Sequence, residues 1–408
     1  MKKIPSWLLF ISAALLLFSS CTQDRAGLGP FDPDDVPAVE TPEYNLYLVD
    51  GRVVSDVDYV VCLDMGDRDE FRILNFADVQ IKLKDALLGV SNYRFMKETT
   101  RELAEETKPD LITLTGDQGH GYRLELGIVC RQIDSLGIPW APVFGNHDCE
   151  QIELSLKEQS ELYRSCRNCL FMDGPENLSI VRENRSPAIG NYVVNIVRIT
   201  GDSFTVVRSL IFMNTGSTMD YEDLSYDADR YSTYSYAKLN RNQARWFQAM
   251  ASSVQKYGTS AVPSTLIFHI PIFAYVRAAE AAFSTDADVY DIGAWVKATK
   301  SISFEDSYNP DNWNEGYKES FGAMHEDVGC PPYDDGIFNA IKETGTADMV
   351  VVGHDHINNF RIRYQGVDLV YALKTGMESY HEAGMTGGTL ITVRPDGSAT
   401  VEHILNNP

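Results

Sequence analysis

Short apolar runs that end in polar or glycine residues alternate along the chain with stretches whose apolar positions recur at helical spacing. Phe71, Ile73, Leu74 and Phe76 mark a buried strand, and residues 92–107 a helix that must end before Pro109. Residues 111–114 read as a second strand, 124–136 as a second helix and 140–144 as a third strand. Strand, helix, strand, helix, strand at this spacing predicts a right-handed parallel βαβαβ unit. Further strands are expected at 209–213, 265–268, 349–352 and 367–373, with 389–393 and 399–404 as a closing antiparallel pair. Residues 44–63, β-branched and aromatic around a turn at Gly51, predict a leading hairpin. No internal repeat is present. Segments 150–205 and 274–330 are long for connections and are expected to be loops or insertions that shape the mouth of a site.

The N-terminus follows a different pattern. Lys2-Lys3 precede an apolar stretch over residues 8–18 that is too short to span a membrane, and Ser19-Ser20 then precede Cys21. This is the layout of an export signal. Phe18-Ser19-Ser20-Cys21 resembles a bacterial lipobox, which implies a lipid on Cys21, membrane attachment through it, and a place in the bacterial cell envelope, periplasmic or on the outer-membrane surface. Residues 1–20 would be the signal peptide, and 21–43, rich in Pro, Gly and Asp, a tether to a folded domain over 44–408.

With 408 residues and 44% hydrophobic content, the chain can bury a large core. Its formal net charge of −23 excludes binding to nucleic acid by bulk charge. An anionic substrate therefore needs positive charge concentrated locally, which bound metal ions supply. Cys62, Cys130, Cys149, Cys166, Cys169 and Cys330 follow the signal; Cys166 and Cys169 have redox or zinc spacing, but with no second Cys/His pair nearby they are expected to form a local disulfide or remain free thiols.

The chemistry gathers at strand ends. In order along the chain these ends deliver Asp78-Val79-Gln80, Gly116-Asp117, Gly145-Asn146-His147-Asp148, His269 and Gly353-His354-Asp355-His356. Three of only eight histidines fall in the two tetrapeptides. Carboxylate, amide and imidazole groups just past the carboxyl ends of strands are where α/β sheets build ligand sites, and they are the donors that Zn, Fe and Mn accept.

These motifs together resemble those of the calcineurin-like metallophosphoesterases, over about residues 71–393. Asn146-His147-Asp148-Cys149-Glu150, Phe268-His269-Ile270-Pro271, the run 326–338 and His354-Asp355-His356-Ile357-Asn358-Asn359-Phe360 resemble the branch of purple-acid-phosphatase-like enzymes. The resemblance implies a four-layer α/β/β/α sandwich with two mixed β-sheets and a site holding two divalent or trivalent ions (Mn, Fe or Zn). One ion would be held by Asp78, Gln80, Asp117 and His356, and the other by Asp117, Asn146, His269 and His354. A bridging hydroxide would attack phosphorus, and His147, oriented by Asp148, would protonate the leaving oxygen.

Two places depart from the family pattern. Gln80 stands where histidine is usual, as it does in manganese-dependent ADP-ribose and CDP-alcohol diphosphatases. His120 stands where purple acid phosphatases carry a tyrosine. The implied activity is hydrolysis of a small phosphomonoester or phosphodiester. The alternatives are a nucleotide pyrophosphatase, a phospholipid-type phosphodiesterase, or a binding lipoprotein without turnover. Tyr221, Tyr226, Tyr231, Tyr234 and Tyr236 are loop packing or a pocket wall, and Asn214 and Arg277 are candidate contacts to substrate oxygens.

Overall fold

Asp50 and Gly51 both take left-handed backbone, with φ of 48° and 74°, as a two-residue hairpin turn requires. They join β1 (Leu46–Val49) to β2 (Arg52–Ser55), the expected leading hairpin. The computed structural model describes residues 41 and 43–406, apart from 83, 85–86, 88–90, 151, 176–177, 179–188, 218–235, 286–296, 300–307 and 332–335. The signal segment and most of the tether lie outside the described residues, as do Tyr221, Tyr226, Tyr231 and Tyr234. Among the described residues no helix is long and apolar enough to cross a membrane.

In chain order there follow β3 (Val60–Asp64), β4 (Phe71–Phe76), α1 (Ser91–Thr107), β5 (Leu111–Thr115), α2 (Arg123–Asp134), β6 (Trp140–Val143), α3 (Leu156–Ser165), β7 (Tyr192–Thr200), β8 (Ser203–Phe212) and α4 (Arg241–Ser253). Then come β9 (Ser264–Ile267), α5 (Ala274–Ala282), α6 (Ile337–Thr344), β10 (Ala347–Val352), β11 (Arg361–Tyr364), β12 (Val367–Tyr371), β13 (Gly387–Val393) and β14 (Ala399–Leu405).

Two mixed sheets result. One has the order β14-β13-β4-β5-β6, with β4, β5 and β6 parallel, as the βαβαβ pattern predicts, and β13–β14 the antiparallel closing pair. The other has the order β11-β12-β10-β9-β8-β7-β3. Every residue of β5, β6, β9 and β12 is buried, because helices cover the outer faces and the other sheet covers the inner one. α1 lies on β4 and β13, while α4 and α6 pack on each other and on β8 and β10. The Tyr192 hydroxyl donates to the Pro142 carbonyl at 2.7 Å, tying β7 to β6 across the interior. The molecule is the four-layer α/β/β/α sandwich.

Segment 150–205 is not a simple loop. It holds α3, started by a capping box in which Ser155 and Glu158 exchange hydrogen bonds, and the long strand β7. Strand β8 begins at Ser203, earlier than the apolar run at 209–213 suggests. Polar side chains inside these strands hide the pattern: Asn195 and Arg208 are fully buried, and Arg208 pairs with Asp348 of β10. Segment 274–330 begins with α5, whose alanine-rich run carries helix propensity. Among the described residues, none of the six cysteines after the signal is joined in a disulfide.

Candidate metal centre

Each motif sits just past a strand end. Asp78 and Gln80 follow β4, Asp117 follows β5, Asn146 and His147 follow β6, His269 follows β9, and His354 and His356 follow β10. Asp78, Asp117 and His354 all take left-handed backbone, with φ of 49°, 53° and 81°. Non-glycine residues hold such conformations only where surrounding structure enforces them, most often at functional sites. The motif glycines are spacers. A Cβ on Gly145 would lie 2.1 Å from Asp117 Oδ1, and one on Gly116, itself at φ 93°, would lie 2.4 Å from His269 Nδ1.

The donor atoms converge. Ligand atoms of Asp78, Asp117 and His269 lie within 4.8 Å of one another, and all three residues are buried. Asn146 Oδ1 is 2.9 Å from both His269 Nε2 and His354 Nδ1, and those two nitrogens are 3.3 Å apart. His269 Nε2 is 3.4 Å from Asp117 Oδ1. The Thr115 carbonyl accepts from His269 Nδ1 at 2.7 Å, so the inward atom of that ring is Nε2. On the other side His356 Nδ1 donates to the Tyr380 carbonyl at 2.9 Å, which leaves His356 Nε2 facing Asp78 Oδ1 at 3.4 Å.

These residues fit a cation. Asp78 Oδ1 is buried and makes no hydrogen bond, although a buried carboxylate oxygen without a partner is costly. Burial opposes ionisation of Asp78 and Asp117. His356, His269 and Lys374 together outweigh it at Asp78, and His269, His147 and His354 together at Asp117, so both carboxyls sit below the ordinary range. Burial pulls His269 down, yet Asp117 raises it to about 9. Burial and His269 push His354 down to about 3. The carboxylates thus draw a proton onto His269, which a cation in that position would displace.

Residues 71–358 match the model of the calcineurin-like phosphoesterases. The chain belongs to this family. Among relatives, probable inactive purple acid phosphatase 14 of Arabidopsis thaliana is 25% identical over 298 residues, covering 70% of this chain and 62% of that protein. Phosphatase DCR2 of Saccharomyces cerevisiae is 23% identical over 321 residues, covering 74% of this chain and 46% of its own length. The chain therefore spans less than two thirds of each of these relatives. The solved structure of a dimetal phosphatase from Danio rerio aligns with a TM-score of 0.42 at 11% identity, over 82% of this chain and 98% of its own.

Against the family pattern, two expected roles change. Asp148 does not orient His147. Its carboxylate accepts from the backbone N–H groups of Gly145 (2.9 Å), Gly119 (3.2 Å) and Gln118 (3.3 Å), fastening the Asp117 loop to the Asn146 loop. Burial and nearby Asp117 raise its pKa to about 7. Glu150 takes the orienting role instead, with Oε1 2.7 Å from His147 Nδ1. His147 Nε2 then faces Asp117 Oδ2 at 4.0 Å. Burial lowers the His147 pKa, but Glu150 and Asp117 outweigh it and raise it to about 9.

Gln80 is the second change. Its Nε2 donates to Asp117 Oδ2 at 2.9 Å, while its Oε1 is 3.3 Å from Lys374 Nζ, so its oxygen points away from the other donors. Gln80 is brought to the cluster but is not presented as a ligand.

His120 does reach the site edge: its ring lies 5.1 Å from that of His147, and its Nδ1 is 3.4 Å from Glu125 Oε2. Tyr236 meets the His354 ring edge-on at 4.4 Å, and Tyr380 stacks on His356 at 4.3 Å. Asp355 accepts from Gly329 N–H and the Tyr371 hydroxyl, a fastening role. Asn214 accepts from Gly216 N–H and donates to the Ile189 carbonyl, so it is used inside the fold. Arg277 pairs with Glu280 on α5. The sequence signal for Glu150 was its place two residues after Asp148; Lys374 and Tyr380 belong to no motif.

Proposed function

We propose that this chain is a metal-dependent phosphoesterase that hydrolyses a small phosphomonoester or phosphodiester. The observation that carries the reading is the convergence of Asp78, Asp117 and His269 ligand atoms, with Asp78 Oδ1 buried and without a hydrogen bond. A bound divalent cation supplies positive charge opposite the phosphoryl oxygens and makes a nearby water a stronger nucleophile. The protein's own groups do the rest. Asp117, Asn146, His269 and His354 are held rigidly by strand ends and by the Thr115 carbonyl, so the donors need no reorganisation. His147 carries a proton at the site edge and delivers it to the departing oxygen, with Glu150 holding its ring. Tyr236 and Tyr380 wall the two final histidines.

The test is hydrolysis of para-nitrophenyl phosphate and bis-para-nitrophenyl phosphate by chelator-stripped protein with Mn, Fe, Zn, Ni or Mg added. Turnover of either, abolished by chelation and restored by metal, supports the reading and begins to separate monoesterase from diesterase. Silence with every metal overturns it. A nucleotide pyrophosphatase or a phospholipid-type diesterase would use the same centre and is separated by adding ADP-ribose and a glycerophosphodiester to the panel. The non-catalytic reading is favoured by the Gln80 oxygen turned inward to Lys374, and by a relative whose name calls it inactive.

The chain is further proposed to be carried to a bacterial envelope and anchored by lipid on Cys21, with 44–408 as its folded domain. The support is Lys2-Lys3, the apolar stretch 8–18 and Cys21. Mass spectrometry of the mature N-terminus tests it: a diacylglyceryl cysteine supports anchoring, and an unmodified Met1 overturns it.

A further inference from the structure

We propose that Lys374 and Gln80 make this centre unequal, so that it binds one divalent cation tightly, at Asp117, Asn146, His269 and His354, and a second only weakly, at Asp78, Asp117 and His356. This rests on the metal-dependent reading above and concerns how the two halves of the centre share the work.

Lys374 is 2% exposed, and its Nζ donates to the Asp78 carbonyl at 3.0 Å and to Gln80 Oε1 at 3.3 Å. An ammonium only donates and a carboxylate only accepts. Gln80 bridges the two, with Lys374 on one side and Asp117 Oδ2 on the other. The amide therefore has one orientation. Reversed, it would set NH2 against ammonium and oxygen against carboxylate. In the orientation it keeps, Gln80 offers the centre an amide nitrogen, which has no lone pair for a metal. The first half is left with Asp78, Asp117 and His356.

The lysine is held firmly. The Gly387 N–H donates to its carbonyl at 3.0 Å, and residue 374 pairs in parallel with Ala77 just before Asp78. The Asp78 carbonyl also accepts from Gly376 N–H at 3.3 Å, so the lysine and the first half share one fastened strand end. The positive charge lies in the field of Asp78 and Asp117, the two carboxylates that a cation in the first half would need. In the second half the ligating atoms are two imidazoles, an amide oxygen and a carboxylate, which is the fuller set for a transition metal. One divalent ion and one ammonium against two carboxylates leave a single positive charge for the phosphoester. Lys374 thus supplies part of what a second ion would bring.

The experiment is a Mn2+ titration of the chelator-stripped full chain, read by calorimetry and by the electron paramagnetic resonance of free Mn2+, with bound metal counted by mass spectrometry. One tight ion and a second about 100-fold weaker are expected. Lys374→Met removes the charge and frees the Gln80 oxygen, so the second step should tighten about tenfold or more while the first is unchanged. Gln80→His, which leaves the lysine in place and restores an imidazole, should also tighten the second step. It keeps the test open where Lys374→Met fails to fold by circular dichroism. Two equally tight ions in the wild type, or a second step unmoved by both variants, overturns the proposal while leaving the metal-dependent reading intact. No bound ion at all overturns both.

Discussion

The Nδ1 atom of His147 rests 2.7 Å from Oε1 of Glu150, three residues further along the same short turn, and not against Asp148, its immediate neighbour. The turn sends alternate carboxylates in opposite directions. Asp148 goes into the fold to collect backbone N–H groups, and Glu150 stays at the surface with the imidazole.

Below about pH 9 His147 is protonated in the metal-free protein, because Glu150 and Asp117 outweigh the effect of burial. Glu150→Gln removes the larger of these two supports, so the titration midpoint should fall toward the ordinary value of about 6.5. NMR titration of the His147 ring checks this. With turnover established, the alkaline limb of the rate on a poor leaving group should move to lower pH in the same variant.

Asp148 should behave as a fastener. Asp148→Ala strands the N–H groups of Gly145, Gln118 and Gly119, at a cost of about 2–4 kcal/mol in urea unfolding. Asp148→Asn keeps an acceptor oxygen and should cost less. Neither variant removes the Glu150 contact with His147. A His147 midpoint that moved by more in Asp148→Asn than in Glu150→Gln would restore Asp148 to the orienting role.

Asp117 belongs to both halves, lying 3.4 Å from His269 Nε2 and sharing a buried cluster with Asp78. Asp117→Ala should therefore abolish the tight step. In the wild type, Mn2+ at a hundred times its dissociation constant should add about 2.7 kcal/mol of stability. The variant should show no metal-dependent shift in thermal unfolding, and a full shift would refute the assignment.

A pH effect is also expected on β14. His403 on β14 donates Nε2–H to the Asn359 carbonyl at 2.7 Å, and its Nδ1 lies 3.0 Å from the Thr389 hydroxyl. Burial holds its pKa down at about 4. The unfolded chain binds that proton from about pH 6.5 downward while the folded chain refuses it until about pH 4. Stability should thus fall as pH drops through this window. Comparing unfolding at pH 4.5 and 7 in His403→Gln and wild type checks it, with a smaller difference expected in the variant.

Much of this was legible in the sequence because the motifs of the centre sit where apolar runs stop. Asp78, Asp117, Asn146, His269, His354 and His356 each terminate a run, and a strand end fixes a side chain in place whatever the rest of the sheet does. Gln80 was legible as a residue but not as an orientation. The partner that turns its amide is Lys374, 294 residues away and in no motif. Strand β7 was hidden for a related reason: Asn195 and Arg198 interrupt its apolar pattern, and what satisfies them comes from distant parts of the chain. Asn195 donates to the Tyr44 hydroxyl, and Arg198 to carbonyls at residues 66 and 68.

The centre draws Asp78, Asp117 and Asn146 from one sheet and His269, His354 and His356 from the other. A cation there would clasp the seam between the two sheets. Its release should slacken both edges at once, so amides at the ends of β4, β5, β9 and β10 should lose hydrogen-exchange protection together. The same arrangement would tie the grip on an ion to how the two sheets sit against each other.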